Sequence, residues 1–432
     1  MGEEVPRCDG AGFVRANGAR ESGLAALKVL SFSYCFPNSA RPTWGVFVLQ
    51  RLAALARRPD VELQVVAPVP VFPIVSRLRS KLPPAKDVVG GLTVHYPRFL
   101  YFPRILKKLD GWLYGRGLTP WVRHFCRNGC PDLLDAHFEW PDAVGVSHIA
   151  KALGFPYVIT LRGALWVYFR NENIKQQCLR ALHGAAAIVS LSHSMAQVCR
   201  DLGVPPEKIA VVHNGVNRAL FHPGDKQEAR RKLNLPLEGR LVVCVSYYQR
   251  RKGIMELVRA IAGLPENVRL ALVGSKVARE AAYYSDVLRE IERLGLSRRV
   301  LRVGHEPHEK IPDYFRAADV SVLASYWEGC PNAVVESLAC GTPVVATPVG
   351  SVPEIVVPGE NGRIVPVGDV DALKDALHGI LHRDWPPEKL SRTVKSWDEV
   401  AKNVHDLLGS ISFGGHPGNG PVRRHGGHLL HA

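Results

Sequence analysis

No stretch of the chain approaches the roughly 18 apolar residues that a membrane-spanning helix needs. The opening MGEEVPRCDGAGFVRANGARESG also lacks the apolar centre of a secretory leader, so the expected compartment is the cytoplasm. Disulfide spacing is missing too. The nine cysteines, an odd number, are scattered along the chain, as expected of free thiols in a reducing compartment. His124, Cys126, Cys130 and His137 come nearest to a metal cluster but lack two close ligand pairs. They read as helix and loop residues, and no metal is assigned. No Ser/His/Asp or Cys/His arrangement suited to covalent catalysis is apparent. Zinc-finger spacing, an RNA-recognition signature and a basic helix with aromatic platforms are missing as well, so no nucleic-acid partner is expected.

What is present is ordinary globular material: 432 residues, 46% hydrophobic and 22% charged, enough for two or three domains with conventional cores. Lys and Arg number 55 against 40 Asp and Glu, a net charge of +15, so the surface attracts anions such as nucleotides, nucleic acid or acidic lipid headgroups. Charge alone does not choose among them.

Short apolar runs recur with helix-like stretches between several of them. LKVLSFS (27–33), VELQVVAP (61–68), LTVHYP (92–97), DLLDAH (132–137), PYVITL (156–161), AAIVSLS (186–192) and KIAVVHN (208–214) form a first series. After the turn-rich NGVNRALFHPGD, a second series follows: LVVCVSY, RLALVG, RVLRVG, DVSVLAS, PVVATPV and GRIVPV. Strand and helix alternating twice predicts an α/β protein of two doubly wound domains with a ligand cleft between them. The expected divisions are an N-terminal domain over 25–217, a C-terminal domain over 218–385 and a helical segment over 386–410 able to return to the first domain. The ends, 1–24 and 411–432, are Gly-, Arg- and His-rich without periodicity and are expected to be disordered.

The most informative stretch is SYWEGCPNAVVESLACGTPVVATPVGSVPEIV (325–356). Pro331 suits the first turn of a helix and Gly341 its end, which predicts a helix from Pro331 to Cys340. Glu328 then precedes the helix and Glu336 lies on it. The free N–H groups at the helix start suit an anionic diphosphate, and the two carboxylates suit sugar hydroxyls. Taken alone, the pair reads equally as solvated helix-end charges.

In context the sequence resembles the glycosyltransferases of family 4, near the teichuronic acid and exopolysaccharide type. The resemblance rests on the Glu-X7-Glu of Glu328 and Glu336, the following SLACGTPVVATPVGSVPEIV, the upstream GHEPHEKIPDYFRAADVSVLAS, the linker HNGVNRALFHP and the RKG at 251–253. It spans nearly the whole chain. It implies the GT-B fold, two Rossmann-like domains facing a cleft, and a retaining hexosyltransferase. Such an enzyme uses a nucleotide diphosphate sugar as donor, with no cofactor and no metal. By the same resemblance, Lys252 meets the donor diphosphate and Glu336 the ribose. Glu328 faces the transferred sugar, and Gly329, Cys330, Pro331, Asn332, Ala333 and Val334 line the donor, all but Pro331 carrying a backbone N–H to offer it. Gly45 matches a position where a missing side chain lets a ligand approach a helix start.

Three positions depart from the family pattern. The arginine usually found five residues before the lysine falls on Tyr247, with Arg250 and Arg251 as substitutes. The usual N-terminal histidine is replaced by Arg162 of TLRG, which is expected to take part in donor or acceptor contact. Asn217 stands where the linker usually carries Asp.

The acceptor is expected on the N-terminal side, with Asp135, His137 and Glu139 as candidate contacts and, equally, as residues that shape the loop there. The expected acceptor is a glycan or a lipid-linked sugar, in cell-surface polysaccharide synthesis. Aromatic and cationic residues mixed over 70–127 suit peripheral contact with an anionic membrane, and equally an amphipathic helix packing on its own sheet. Such contact places the protein at the inner face of the cell membrane. Asp369 and Asp371 form an Asp-X-Asp but directly precede a helix-like run, where Asp serves as a cap. The competing class is a basic nucleotide- or nucleic-acid-binding regulatory protein without transferase activity, supported by the net charge alone.

Overall fold

Each apolar run of the two series becomes a strand in a computed structural model that describes residues 26–72, 82–102, 106–163 and 165–413. The N-terminal extension, most of the C-terminal tail and parts of the basic aromatic region (73–81 and 103–105) lie outside the described residues.

The first lobe contains β1 (Leu27–Phe32), β2 (Val61–Val66), β3 (Val69–Val71), β4 (Lys86–Val89), β5 (Leu92–His95), β6 (Arg98–Leu100), β7 (Leu133–His137), β8 (Tyr157–Thr160), β9 (Ala187–Ser190) and β10 (Ile209–Val211). Eight of them form one sheet in the order β10-β9-β8-β7-β1-β2-β5-β4. All its pairings are parallel except β4 with β5, a hairpin closed by Gly90 and Gly91 at φ 57° and 81°. β3 and β6 make a separate two-stranded parallel sheet. Every residue of β7, β8 and β9 is buried, because helices cover both faces of a parallel sheet. Alternate residues feed opposite cores: Leu30, Phe32, Leu134 and Ile159 on one face, Leu27, Val29, Leu133 and Val158 on the other.

The second lobe contains β11 (Arg240–Val245), β12 (Val268–Val273), β13 (Val300–Gly304), β14 (Val320–Leu323), β15 (Val344–Ala346) and β16 (Gly362–Ile364). Their order, β13-β12-β11-β14-β15-β16, is wholly parallel. Sequence order reverses between β11 and β14, and the crevice beyond the carboxyl ends of those two strands is where such sheets bind ligands. Lys252 follows β11 and Glu328 follows β14, so topology alone brings them to one place.

The chain crosses between lobes twice, side by side. Val216 N–H donates to Lys395 O at 3.0 Å, and Trp397 N–H donates to Val216 O at 3.1 Å. The last described helix, Trp397–Phe413, packs against the first lobe, where Trp397, Val400, Val404 and Leu408 complete the core beneath Leu27 and Val29. Trp397 is buried, and its Nε1–H reaches Gln50 Oε1 at 2.9 Å. Trp397→Ala is expected to cost about 3–5 kcal/mol, measured by urea unfolding of the first lobe. A loss under about 1 kcal/mol would show that this helix is not part of that core.

Candidate active site

The site is built at the start of the helix Asn332–Ala339, eight residues in the loop-to-helix unit after β14. Pro331 stands at the cap position rather than in the first turn, and the helix ends at Ala339, one residue before Cys340. Gly341 closes it with φ 80°, where a Cβ would sit 2.4 Å from Pro387 Cβ. The first N–H groups of any helix have no acceptor four residues back, and with the aligned peptide dipoles they favour an anion.

Glu328 lies just before this helix. Its Oε1 accepts from Lys252 Nζ at 2.5 Å and Ser325 Oγ at 2.7 Å, and its Oε2 accepts from Arg251 Nη1 at 3.3 Å. The Lys252 and Glu328 side chains are 14% and 11% exposed, enough enclosure for their charges to matter. Burial pushes the Glu328 carboxyl up, but the Lys252 and Arg251 charges outweigh it, so its pKa falls below the ordinary carboxylate value.

Lys252 is placed by a one-turn 3₁₀ helix, Arg250–Lys252, that ends at Gly253 with φ 64°. A Cβ at Gly253 would meet Ala324 O at 2.0 Å, so only glycine lets this loop lie against the end of β14. Successive residues of a 3₁₀ turn point about 120° apart, which separates the two arginines. Arg251 stacks 4.6 Å over the Trp327 ring and reaches Glu328. Arg250 points the other way, over Tyr283 and toward Asp286 at 3.8 Å, and is largely exposed. Of the two substitutes for the missing family arginine, Arg251 therefore borders the cluster, whereas Arg250 lies on the exposed side of the turn.

Glu336 is paired with His308, whose Nε2 lies 3.1 Å from Glu336 Oε1. Burial lowers the pKa of His308, but the Glu336 hydrogen bond and charge more than offset this and leave it raised. His308 belongs to the GHEPHEKIP segment and carries no assigned role on sequence grounds. The available signal was a histidine at a loop start after β13, but nothing local links it to a glutamate 28 residues on.

The first lobe meets this cluster through Arg162 and Gly163. A Cβ at Gly163 would lie 2.8 Å from Gly329 Cα, so the two backbones touch across the seam. Arg162 is not a loose surface guanidinium. Its Nη2 lies 2.8 Å from His137 Nδ1, and its Nη1 donates to Asn214 Oδ1 at 3.1 Å. Asn214 Nδ2 donates in turn to Asn332 Oδ1 at 2.8 Å. Arg162 thus connects, through the crossing segment, to the first residue of the helix after Glu328. Enclosure and the nearby Arg51 charge bring its pKa down to about 9.

Asp135, His137 and Glu139 lie beneath the cleft wall, at 3%, 0% and 1% exposure, and the expectation of direct acceptor contact is corrected accordingly. Asp135 Oδ2 accepts from Ser31 Oγ at 3.0 Å and lies 2.9 Å from His137 Nε2. Glu139 Oε1 accepts from the Arg162 and Gly163 N–H groups at 3.0 and 3.2 Å. These three hold the Arg162–Gly163 turn in place. Burial raises the Asp135 pKa, but His137 and Arg51 outweigh it and bring it to about 2. Burial holds His137 at about 4 and so neutral near pH 7. Gly45 caps the helix Val46–Ala56 with φ 76°, but a Cβ there would meet Cys35 O at 2.0 Å. The missing side chain thus makes room for the chain's own loop at Cys35. Asp369 Oδ1 accepts from Ala372 N–H at 2.9 Å as a helix cap, and Asp371 pairs with Lys374.

A cavity of about 620 Å³ opens in the first lobe between the loops after β1 and β2. Tyr34, Trp44, Tyr101 and Trp140 line it, with Arg41 and Lys107 as its cations. Among the described residues no helix is long and apolar enough to cross a membrane.

Two Rossmann-like lobes with the crevice of one facing the other define the GT-B fold. Residues 45–220 match the model of Glycosyltransferase Family 4, and residues 225–397 match that of Glycosyl transferases group 1. The chain belongs to the family 4 glycosyltransferases. It is 28% identical over 397 residues to the putative teichuronic acid biosynthesis glycosyltransferase TuaC of Bacillus subtilis, covering 88% of this chain and 97% of that one. It is 37% identical over 194 residues to D-inositol 3-phosphate glycosyltransferase of Mycobacterium tuberculosis, covering 45% and 40% of the respective chains. Among solved structures, sucrose-phosphate synthase of Thermosynechococcus elongatus superposes with a TM-score of 0.73 at 22% identity, over 90% of this chain and 100% of that one. Anabaena HepE, in complex with UDP and glucose, superposes with a TM-score of 0.68 at 20% identity, over 89% and 100%.

Proposed function

We propose that the protein moves a hexosyl group from a nucleotide diphosphate sugar to a hydroxyl of a glycan or lipid-linked acceptor, with retention of anomeric configuration, in cell-surface polysaccharide synthesis. The observation that carries this reading is the convergence of Lys252, Arg251 and Glu328 with a helix start at the switch point of the second sheet, against Arg162 and Gly163 of the first lobe. HepE, solved with UDP and glucose, and TuaC, described as a putative teichuronic acid biosynthesis enzyme, support the donor class and the pathway class.

In this reading residues 218–385 hold the donor. Its diphosphate takes the first-turn N–H groups of Asn332 and Ala333, flanked by Gly329 to Pro331 and by Val334, whose own N–H donates to Pro331 O at 3.1 Å, and draws the Lys252 ammonium into a shared contact with Glu328. Two cations against one carboxylate leave the local balance positive, so charge developing on the departing diphosphate is stabilised by the chain's own groups, without a metal. The acceptor hydroxyl attacks from the face the diphosphate leaves, and the diphosphate oxygen takes its proton. Glu336 holds the ribose hydroxyls, with His308 fixing its carboxylate. Residues 25–217 present the acceptor, whose sugar rings fit the aromatic cavity beside Arg41 and Lys107. Peripheral docking of the basic aromatic region on an anionic membrane would bring in a lipid-linked acceptor. Closure of the lobes limits hydrolysis of the donor.

The test is to find the donor by thermal shift with a set of nucleotide sugars and then follow the product's anomeric proton by NMR. The α-configured donor is expected to give α-linked product, and turnover is expected to persist in EDTA. Inverted product, or turnover abolished by EDTA and restored by a divalent metal, would contradict the mechanism.

A further inference from the structure

Three side chains outside the Lys252–Glu328 cluster meet where the lobes abut. Glu354 lies in the short helix Val352–Ile355 of the second lobe, His193 opens the helix His193–Asp201 of the first, and His213 follows β10. Glu354 Oε2 is 2.6 Å from His193 Nδ1 and 2.6 Å from His213 Nε2. Among the described residues this is the one group of three His, Cys, Asp or Glu side chains arranged to hold a metal ion, with its ligand atoms within 4.8 Å of one another.

We propose that His193, His213 and Glu354 form a binding site for a divalent transition metal, represented by Zn²⁺, that straps the two lobes together. The inference goes beyond the transferase reading and does not depend on it.

Two imidazoles and one carboxylate are a donor set for Zn²⁺ and its neighbours, whereas Mg²⁺ and Ca²⁺ prefer all-oxygen surroundings. The carboxylate is already oriented. Glu354 Oε1 accepts from the His193 backbone N–H at 2.7 Å, which leaves Oε2 as the single oxygen facing both rings. Each neutral ring carries one proton, which now points at Oε2. Moving it to the opposite ring nitrogen exposes the lone pair, so the metal replaces two hydrogen bonds without loss of a proton. Tetrahedral Zn²⁺ with bonds near 2.0–2.2 Å needs ligand atoms roughly 3.3 Å apart, so each ring retreats by about 0.7 Å. His193 is 68% exposed and free to turn by that much, and its open side admits water as a fourth ligand. Because the rings belong to the first lobe and the carboxylate to the second, a bound ion favours the closed cleft.

The experiment is calorimetric titration of Zn²⁺ into the full chain after chelator dialysis, compared with Glu354→Gln and His213→Ala. Four histidines at 416, 425, 428 and 431 also attract metal, so the informative quantity is the difference between variants that share them. Wild type is expected to take up one more equivalent than either variant, with micromolar affinity. Co²⁺ loading is expected to give a tetrahedral visible band in wild type alone. If either variant fails to fold, His193→Gln, a change at an exposed side chain, supplies the same comparison. Equal stoichiometry and equal cobalt spectra in wild type and variants would overturn the proposal and leave a plain hydrogen-bonded contact.

Discussion

Glu328→Gln is expected to lower the transfer rate constant by about 10²–10³-fold while leaving the circular dichroism spectrum unchanged. The carboxylate accepts from Lys252, Ser325 and Arg251 at once. A carboxamide of the same shape keeps one acceptor but turns an NH₂ group toward a cation, so the ammonium loses its anchor and its compensating charge. A transition-state charge is stabilised only by groups already in place, so the loss should appear in kcat more than in KM. Full kcat in the folded variant would remove Glu328 from the chemistry.

The second large effect is expected at a residue that touches no substrate. Gly253→Ala places a methyl group where Ala324 O already lies, 2.0 Å away, at a φ of 64° that costs an L-residue about 1–2 kcal/mol. The obstacle is backbone, so the Arg250–Lys252 turn must move by roughly 1 Å to restore an ordinary contact. A displacement of that size at a catalytic group can cost about 10²-fold in rate. Steady-state kinetics with a thermal melt checks this: kcat should fall about a hundredfold with a modest loss of stability. Wild-type kcat would show that the position of Lys252 does not depend on this turn.

The alternation of buried strands and amphipathic stretches made both sheets readable, because parallel strands covered on two faces are apolar throughout. The Glu-X7-Glu spacing was likewise readable, since a loop and one short helix fix it locally. What the sequence hid depends on contacts between distant segments. Arg250 and Arg251 are neighbours with the same charge, and only the pitch of a 3₁₀ turn decides which meets Glu328. Asp135 and His137 sit at the carboxyl end of a central strand, the usual place for ligand contacts, but Arg51 from the first helix and Arg162 from the next loop enclose them. The Arg162–Asn214–Asn332 chain joins residues 52 and 118 positions apart, beyond the reach of any periodicity. Strand β4 was the more accessible omission, since the Gly90–Gly91 pair between alternating residues is a hairpin signal.

The central claim is that a donor diphosphate is held between Lys252 and the start of the helix Asn332–Ala339. Calorimetric titration of UDP, GDP and ADP into wild type, Lys252→Ala and Arg250→Ala tests it without knowledge of the acceptor. The nucleotide that binds wild type is expected to bind Lys252→Ala about 10- to 100-fold more weakly, the worth of one charge-assisted hydrogen bond, and Arg250→Ala as tightly as wild type. Undiminished binding to folded Lys252→Ala would contradict the account.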